Sequence, residues 1–69
     1  MSIADRIMNA PYAYFDVMTA SCFVKMFNRG LGKFVAADLQ LDANVHDRCD
    51  NHTKAQVIRQ LANDIYAAS

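Results

Sequence analysis

Residues 33–51, KFVAADLQLDANVHDRCDN, decide the fold of this chain. Read as a strand, Leu39, Leu41, Ala43 and Val45 alternate with Gln40, Asp42, Asn44 and His46, the period of two that a half-buried strand requires. Read as a helix, Phe34, Ala37, Leu41, Val45 and Cys49 recur at spacings of three and four and share one face. Few of these residues are β-branched, and the stretch is long for a strand, so the helix is favoured. A break near Leu41-Asp42 would satisfy both patterns in part.

Outward from this stretch the signals are helical in both directions. Thr53 to Gln56 matches a capping box, with the threonine accepting from the third helical amide and the glutamine reaching back. Val57, Ile58, Leu61 and Ile65 form one apolar stripe, with Arg59, Gln60, Asn63 and Asp64 turned to water, so an amphipathic helix is expected over 54–68. On the N-terminal side, Gly30 is placed to stop a long apolar helix over about 11–29. That helix carries two stripes, Phe15, Met18, Cys22 and Met26 on one, Ala13, Val17, Ala20, Val24 and Phe27 on the other. A helix apolar on two sides must be covered twice. One stripe is expected to face the rest of the chain, and the second (Ala13, Val17, Ala20, Val24, Phe27) to form a dimer seam. Ser2 and Asp5 mark a short N-terminal helix edged by Ile3 and Ile7. The expected fold is therefore all-α, a single domain over 1–69 built as a small bundle of three to four helices and completed by dimerisation.

Size supports the last point. A chain of 69 residues that is 54% hydrophobic cannot enclose all of its apolar surface in its own core, and exposed apolar patches mark contacts with other molecules. A two-fold homodimer is the simplest way to cover them. Cys22 and Cys49 are too few for a disulfide framework, and usage favours two buried free thiols over a bridge. The first ten residues do not resemble a signal peptide, and Val17 to Val24 falls well short of the ~20 residues that cross a bilayer. A cytoplasmic protein with no membrane contact is expected. Seven basic residues balance seven acidic ones, all of them aspartate. Nucleic-acid binding, which usually brings a basic excess, is disfavoured without being excluded.

Three constellations could carry chemistry. His46, Cys49 and His52, with Asp47 and Asp50 among them, offer nitrogen and sulfur at helical spacing. A closed structural zinc site needs four ligands, however, and the bland assignment is a polar helix end. No metal or other cofactor is implied. Arg29-Gly30-Leu31-Gly32-Lys33 is a glycine loop between cations that could cradle an anion such as a nucleotide, with Arg48 as a further cation. It lacks the spacing of a phosphate-binding P-loop, and a helix stop followed by a turn is the favoured explanation. Tyr12, Tyr14 and Phe23, rimmed by Lys25 and Arg29, form an aromatic-basic group suited to a protein target. No nucleophile can be set beside a base, so an enzyme is not expected.

From Ala37 to Ala67 the chain also resembles the ribbon-helix-helix DNA-binding fold. Leu39-Gln40-Leu41-Asp42 stands where the strand and first helix cap would be, and Thr53-Lys54-Ala55-Gln56-Val57-Ile58-Arg59 resembles the start of the second helix. The resemblance implies a DNA-binding regulator that dimerises through residues 37–42 and puts Asp38, Gln40 and Asp42 in the groove. The residues themselves favour a small non-enzymatic interaction protein, an inhibitor or adaptor of the bacterial, plasmid or phage kind, acting as a homo-oligomer on a protein partner. An oligomeric binder of a small anion is the first alternative.

Overall fold

In the computed structural model, which describes residues 2–9 and 16–69, the stretch 33–51 is helical almost to its end. The helices are α1 (Ile3–Asn9), α2 (Val17–Asn28), α3 (Gly32–Arg48) and α4 (His52–Ala67), and no strand occurs among the described residues. The protein is a small all-α bundle. The strand that a ribbon-helix-helix fold needs is absent, because α3 runs without a break through Leu41-Asp42.

Local chemistry sets the helix ends. Ser2 caps α1, its Oγ accepting from the amide of Asp5 at 3.1 Å. Asp16 caps α2 from an extended conformation, its carboxylate accepting from the amide of Thr19 at 2.7 Å. Asp16 was expected inside a helix reaching back to residue 11. Its backbone, with ψ at 169°, instead makes it the boundary at which α2 begins, and residues 10–15 lie outside the described part.

Both connections between the later helices are Schellman turns. After α2 the amide of Leu31 donates to the carbonyl of Met26 at 2.9 Å and that of Gly30 to Phe27 at 3.1 Å. After α3 the amide of Asn51 donates to His46 at 2.8 Å and that of Asp50 to Asp47 at 3.1 Å. Each turn needs one left-handed residue: Gly30 supplies it with φ 82°, and Asp50 with φ 58°. The second turn moves the start of α4 ahead of its expected position. Asn51 takes the cap without a side-chain hydrogen bond, and Thr53 lies exposed within the first turn.

The core is built on the antiparallel pair α3–α4. From α3 it takes Val35, Ala36, Leu39 and Ala43, and from α4 Ala55, Ile58, Leu61, Ala62 and Ile65, all buried. Ala36, Leu39 and Ala43 follow a heptad spacing, as do Ala55, Ile58, Ala62 and Ile65. Small side chains at the contact bring two helices to the near end of the usual 8–10 Å separation. The face of α3 that stood out in the sequence points the other way: Phe34, Leu41 and Val45 are 64, 65 and 53% exposed, and Ala37 and Cys49 are exposed as well. Asp38 and Arg48 belong to that same stripe and would have entered the core with it, at a desolvation cost no partner there repays. Val57 is likewise half out of the core.

The N-terminal half covers one side of this pair. α1 inserts Ile7, which is fully buried, and α2 inserts Ala20, with Phe23, Val24, Met26 and Phe27 partly buried around it. The stripe expected to seam a dimer therefore packs on its own chain: Ala20, Val24 and Phe27 touch the core. Only Val17 among its described members stands clear, at 63% exposure, and Ala13 lies outside the described residues. The physical reason is that α1 and α3 both present apolar side chains to α2, and this face of α2 is the one that packs on them. The radius of gyration, 11.0 Å, is what a compact globule of this length should have, about 11 Å.

The two left-handed residues give a direct test. A side chain in that conformation costs about 1–2 kcal/mol, partly offset by the extra freedom glycine has when unfolded. Asp50→Gly should raise the unfolding free energy by about 0.5–1 kcal/mol and Gly30→Ala should lower it by a similar amount. A Cβ at Gly30 would meet no atom within 4 Å, so that loss isolates the backbone. Urea midpoints measured at constant slope check both.

Candidate functional site

The register of α3 on α4 produces a polar edge along the pair. At one end the Lys33 ammonium lies 5.6 Å from the centre of the Tyr66 ring, a cation–π contact. Next, Gln40 Nε2 donates to Asn63 Oδ1 at 3.2 Å. Then Arg59 Nη2 donates to Asn44 Oδ1 at 2.8 Å and pairs with the Asp47 carboxylate. At the far end His52 Nδ1 meets Asp47 Oδ1 at 2.9 Å. A second clamp, Arg6 to Asp64, ties α1 to α4.

These contacts fix the charge state of three aspartates. Hydrogen bonds from His52 and then Arg59 hold the Asp47 carboxyl below its usual range. Those from Arg6, assisted by its charge and by Gln60, do the same for Asp64. For Asp16 the lowering comes first from the Thr19 amide. In each case the ionised form is favoured by donors that unfolding removes.

The same edge accounts for the histidine-cysteine group. His52 opens α4 and is engaged by Asp47, with Asp50 3.8 Å from its other nitrogen, while His46 lies 3.7 Å from Asp42. Among the described residues no group of three or more ligands is gathered for a metal. Cys22 and Cys49 are free, and both are exposed rather than buried: Cys22 lies on the side of α2 opposite Ala20, and Cys49 ends α3.

Nor does the structure assemble the anion site. The amides of Arg29, Gly30 and Leu31 are taken by the carbonyls that close α2. Gly32 is buried in α3, where a Cβ would meet Ser69 Oγ and, at 3.0 Å, Phe27 Cδ1; its role is close packing. Lys33 is turned over Tyr66. Arg48 stands at the opposite end of α3, about 22 Å from Lys33 at 1.5 Å per residue.

Two outward surfaces remain. On α2, directly opposite Ala20, run Met18, Cys22, Lys25 and Arg29, all exposed, with Met18 at 84%. On α3, opposite the core, run Phe34, Leu41 and Val45, flanked by exposed Asp38 and Arg48. Among the described residues Lys25, Arg29, Asp38 and Arg48 make no ion pair. Of the aromatic group expected to meet a partner, Phe23 is half-buried against the core, and Tyr12 and Tyr14 lie outside the described residues.

No protein-family model, curated protein or solved structure matches the chain. What it does has to be read from these surfaces. Among the described residues no helix is long and apolar enough to cross a membrane. The α3 stripe was visible in the sequence as a period, but its direction was not, since nothing in a single chain says which of two apolar faces another helix will cover. The Arg59–Asp47 clamp left no sequence signal, because it depends on the α3–α4 register.

The lowered aspartates set a pH dependence. Their contribution is full above the ordinary carboxylate value of 3.8 and is lost as pH falls through the lower folded-state values. Thermal midpoints should thus fall below about pH 4. Asp47→Asn and Asp64→Asn, which start less stable at neutral pH, should each flatten that fall. An acid limb as steep in the double variant as in the wild type would show that the clamps do not couple to folding.

Proposed function

We propose that this is a non-enzymatic interaction protein, an inhibitor or adaptor that works as a homo-oligomer in the cytoplasm and binds a protein target through the outer face of α2. The observation that carries the proposal is the run Met18, Cys22, Lys25, Arg29. It begins with a methionine 84% exposed beside Val17 at 63% and ends in two cations with no ion-pair partner among the described residues. Methionine suits such a surface because its flexible thioether adapts to the shape of a partner. Lys25 and Arg29 would form a charged rim that steers an acidic partner and suppresses basic ones. The placement also fits a reducing compartment, where the exposed thiols Cys22 and Cys49 stay free.

Several polar side chains serve the fold. His52, Asp47 and Arg59 hold α3 to α4, Arg6 and Asp64 hold α1 to α4, and Asp16 caps α2. Each of these contacts joins two helices or caps one, which supports a reading in which the chain works by binding.

The test is affinity capture from the cells that make the protein, with a photo-crosslinking residue at position 18. A stoichiometric protein partner should be retained by the wild type and lost by both Met18→Asp and the double variant Lys25→Glu, Arg29→Glu. Both variants should remain helical by circular dichroism, because the altered side chains are exposed. Capture unchanged in both would overturn the α2 assignment, and thermal stabilisation by a nucleotide in place of any capture would favour the anion binder.

A further inference from the structure

We infer that the outward face of α3 is a self-pairing surface, and that two copies of this chain dock there with their α3 helices antiparallel about a two-fold axis at the level of Ala43. Phe34, Asp38, Leu41, Val45 and Arg48 are spaced four, three, four and three apart. That is the repeat of a coiled-coil seam, in which each apolar knob enters a hole on the facing helix. The three apolar members are 64, 65 and 53% exposed, so α3 is apolar on its outer as well as its inner side.

Charge decides the occupant and its direction. Asp38 and Arg48 are exposed, and neither has an ion-pair partner among the described residues. They cannot meet within one helix, since ten residues of rise separate them by about 15 Å. Leu41 and Val45 stand two residues to either side of Ala43, and Asp38 and Arg48 stand five to either side. Antiparallel pairing about Ala43 therefore sets Leu41 of each copy across from Val45 of the other. It also sets Asp38 of each copy across from Arg48 of the other, giving two equivalent ion pairs that flank the Leu41–Val45 contacts, with Phe34 nine residues from the axis and outside them. Parallel pairing would set Asp38 against Asp38 and Arg48 against Arg48, which is repulsive twice over. The stripe is thus complementary to itself in one orientation, as a two-fold interface must be.

The inference rests on the oligomeric part of the proposed function and assigns it a face distinct from α2. Two large apolar side chains per copy at the centre, with Phe34 beyond the ion pairs, make a small interface, so a concentration-dependent equilibrium is expected rather than a permanent dimer. The experiment is sedimentation equilibrium of the full chain over roughly a thousandfold range of concentration, at low salt. Wild type should pass from monomer to dimer. Leu41→Asp should remain monomeric and helical. Asp38→Arg and Arg48→Asp should each weaken the dimer by roughly tenfold, and the two together should restore it to within about threefold of wild type.

Wild type that stays monomeric throughout would overturn the inference. So would a dimer indifferent to Leu41→Asp, which would place self-association on another face while leaving the oligomeric reading intact. A dimer lost in Leu41→Asp but not rescued by the double charge reversal would overturn the antiparallel register. Binding of the monomer to phosphatidylglycerol vesicles, abolished by Leu41→Asp, would assign the face to a lipid surface instead. Capture of a protein through α2 is read independently, so that function and this pairing can fail separately.

Discussion

The close approach of α3 to α4 through Ala36, Ala43, Ala55 and Ala62 is the constraint from which the rest of the molecule follows. Alanine contributes little apolar area of its own, but its small size leaves room for Leu39, Ile58 and Ile65, which are buried beside it and gain dispersion contacts there. The spacing of the alanines also fixes the rotation of both helices. Rotation decides that Asn44 and Asp47 meet Arg59, that Gln40 meets Asn63, and that Phe34, Leu41 and Val45 are left outside. A seam of larger residues would tolerate several rotations. A seam of small ones tolerates few, since a turned helix would drive a bulky side chain into the gap.

How much of this was legible in the sequence follows from where each determinant lies. The identity of the elements was local: Gly30 as a helix stop and Ser2 as a cap act within a few residues, and both are found as expected. Helix α3 could be told from a strand by its length and scarcity of β-branched residues. Direction was not local. On α3 the pattern Phe34, Leu41, Val45 outweighs Val35, Ala36, Leu39, Ala43 in bulk, yet the second is the core, because Asp38 and Arg48 lie in the first. The α2 stripes were misassigned for a related reason: which stripe meets the core depends on the surfaces that α1 and α3 present to it. The start of α4 was displaced by Asp50, whose left-handed backbone completes a turn for which glycine is the usual residue.

The use of aspartate alone as the acidic residue has a structural counterpart. A carboxylate on a short side chain reaches its own backbone and its near neighbours but little else. Asp16 caps α2, Asp50 turns the chain between helices, and Asp47 and Asp64 hold cations from adjacent helices across a short gap. Two of the four arginines, Arg6 and Arg59, are consumed in these internal clamps, whereas Arg29 and Arg48 stay exposed, with no ion pair among the described residues. The balance of charge in the whole chain thus conceals a division between charges that hold the fold and charges that face away from it.

That the innermost pair is formed by the last two helices also bears on how the protein comes into being. During synthesis α1 and α2 leave the ribosome before α4 exists, and the surface they cover is made only when α4 folds back on α3. Until then Ile7, Ala20 and Phe27 have only part of their native surroundings, the contacts of α1 with α2 and of α2 with α3. The last helix to be made is thus the one that closes the core, and the N-terminal half keeps part of its apolar surface open to water until it arrives.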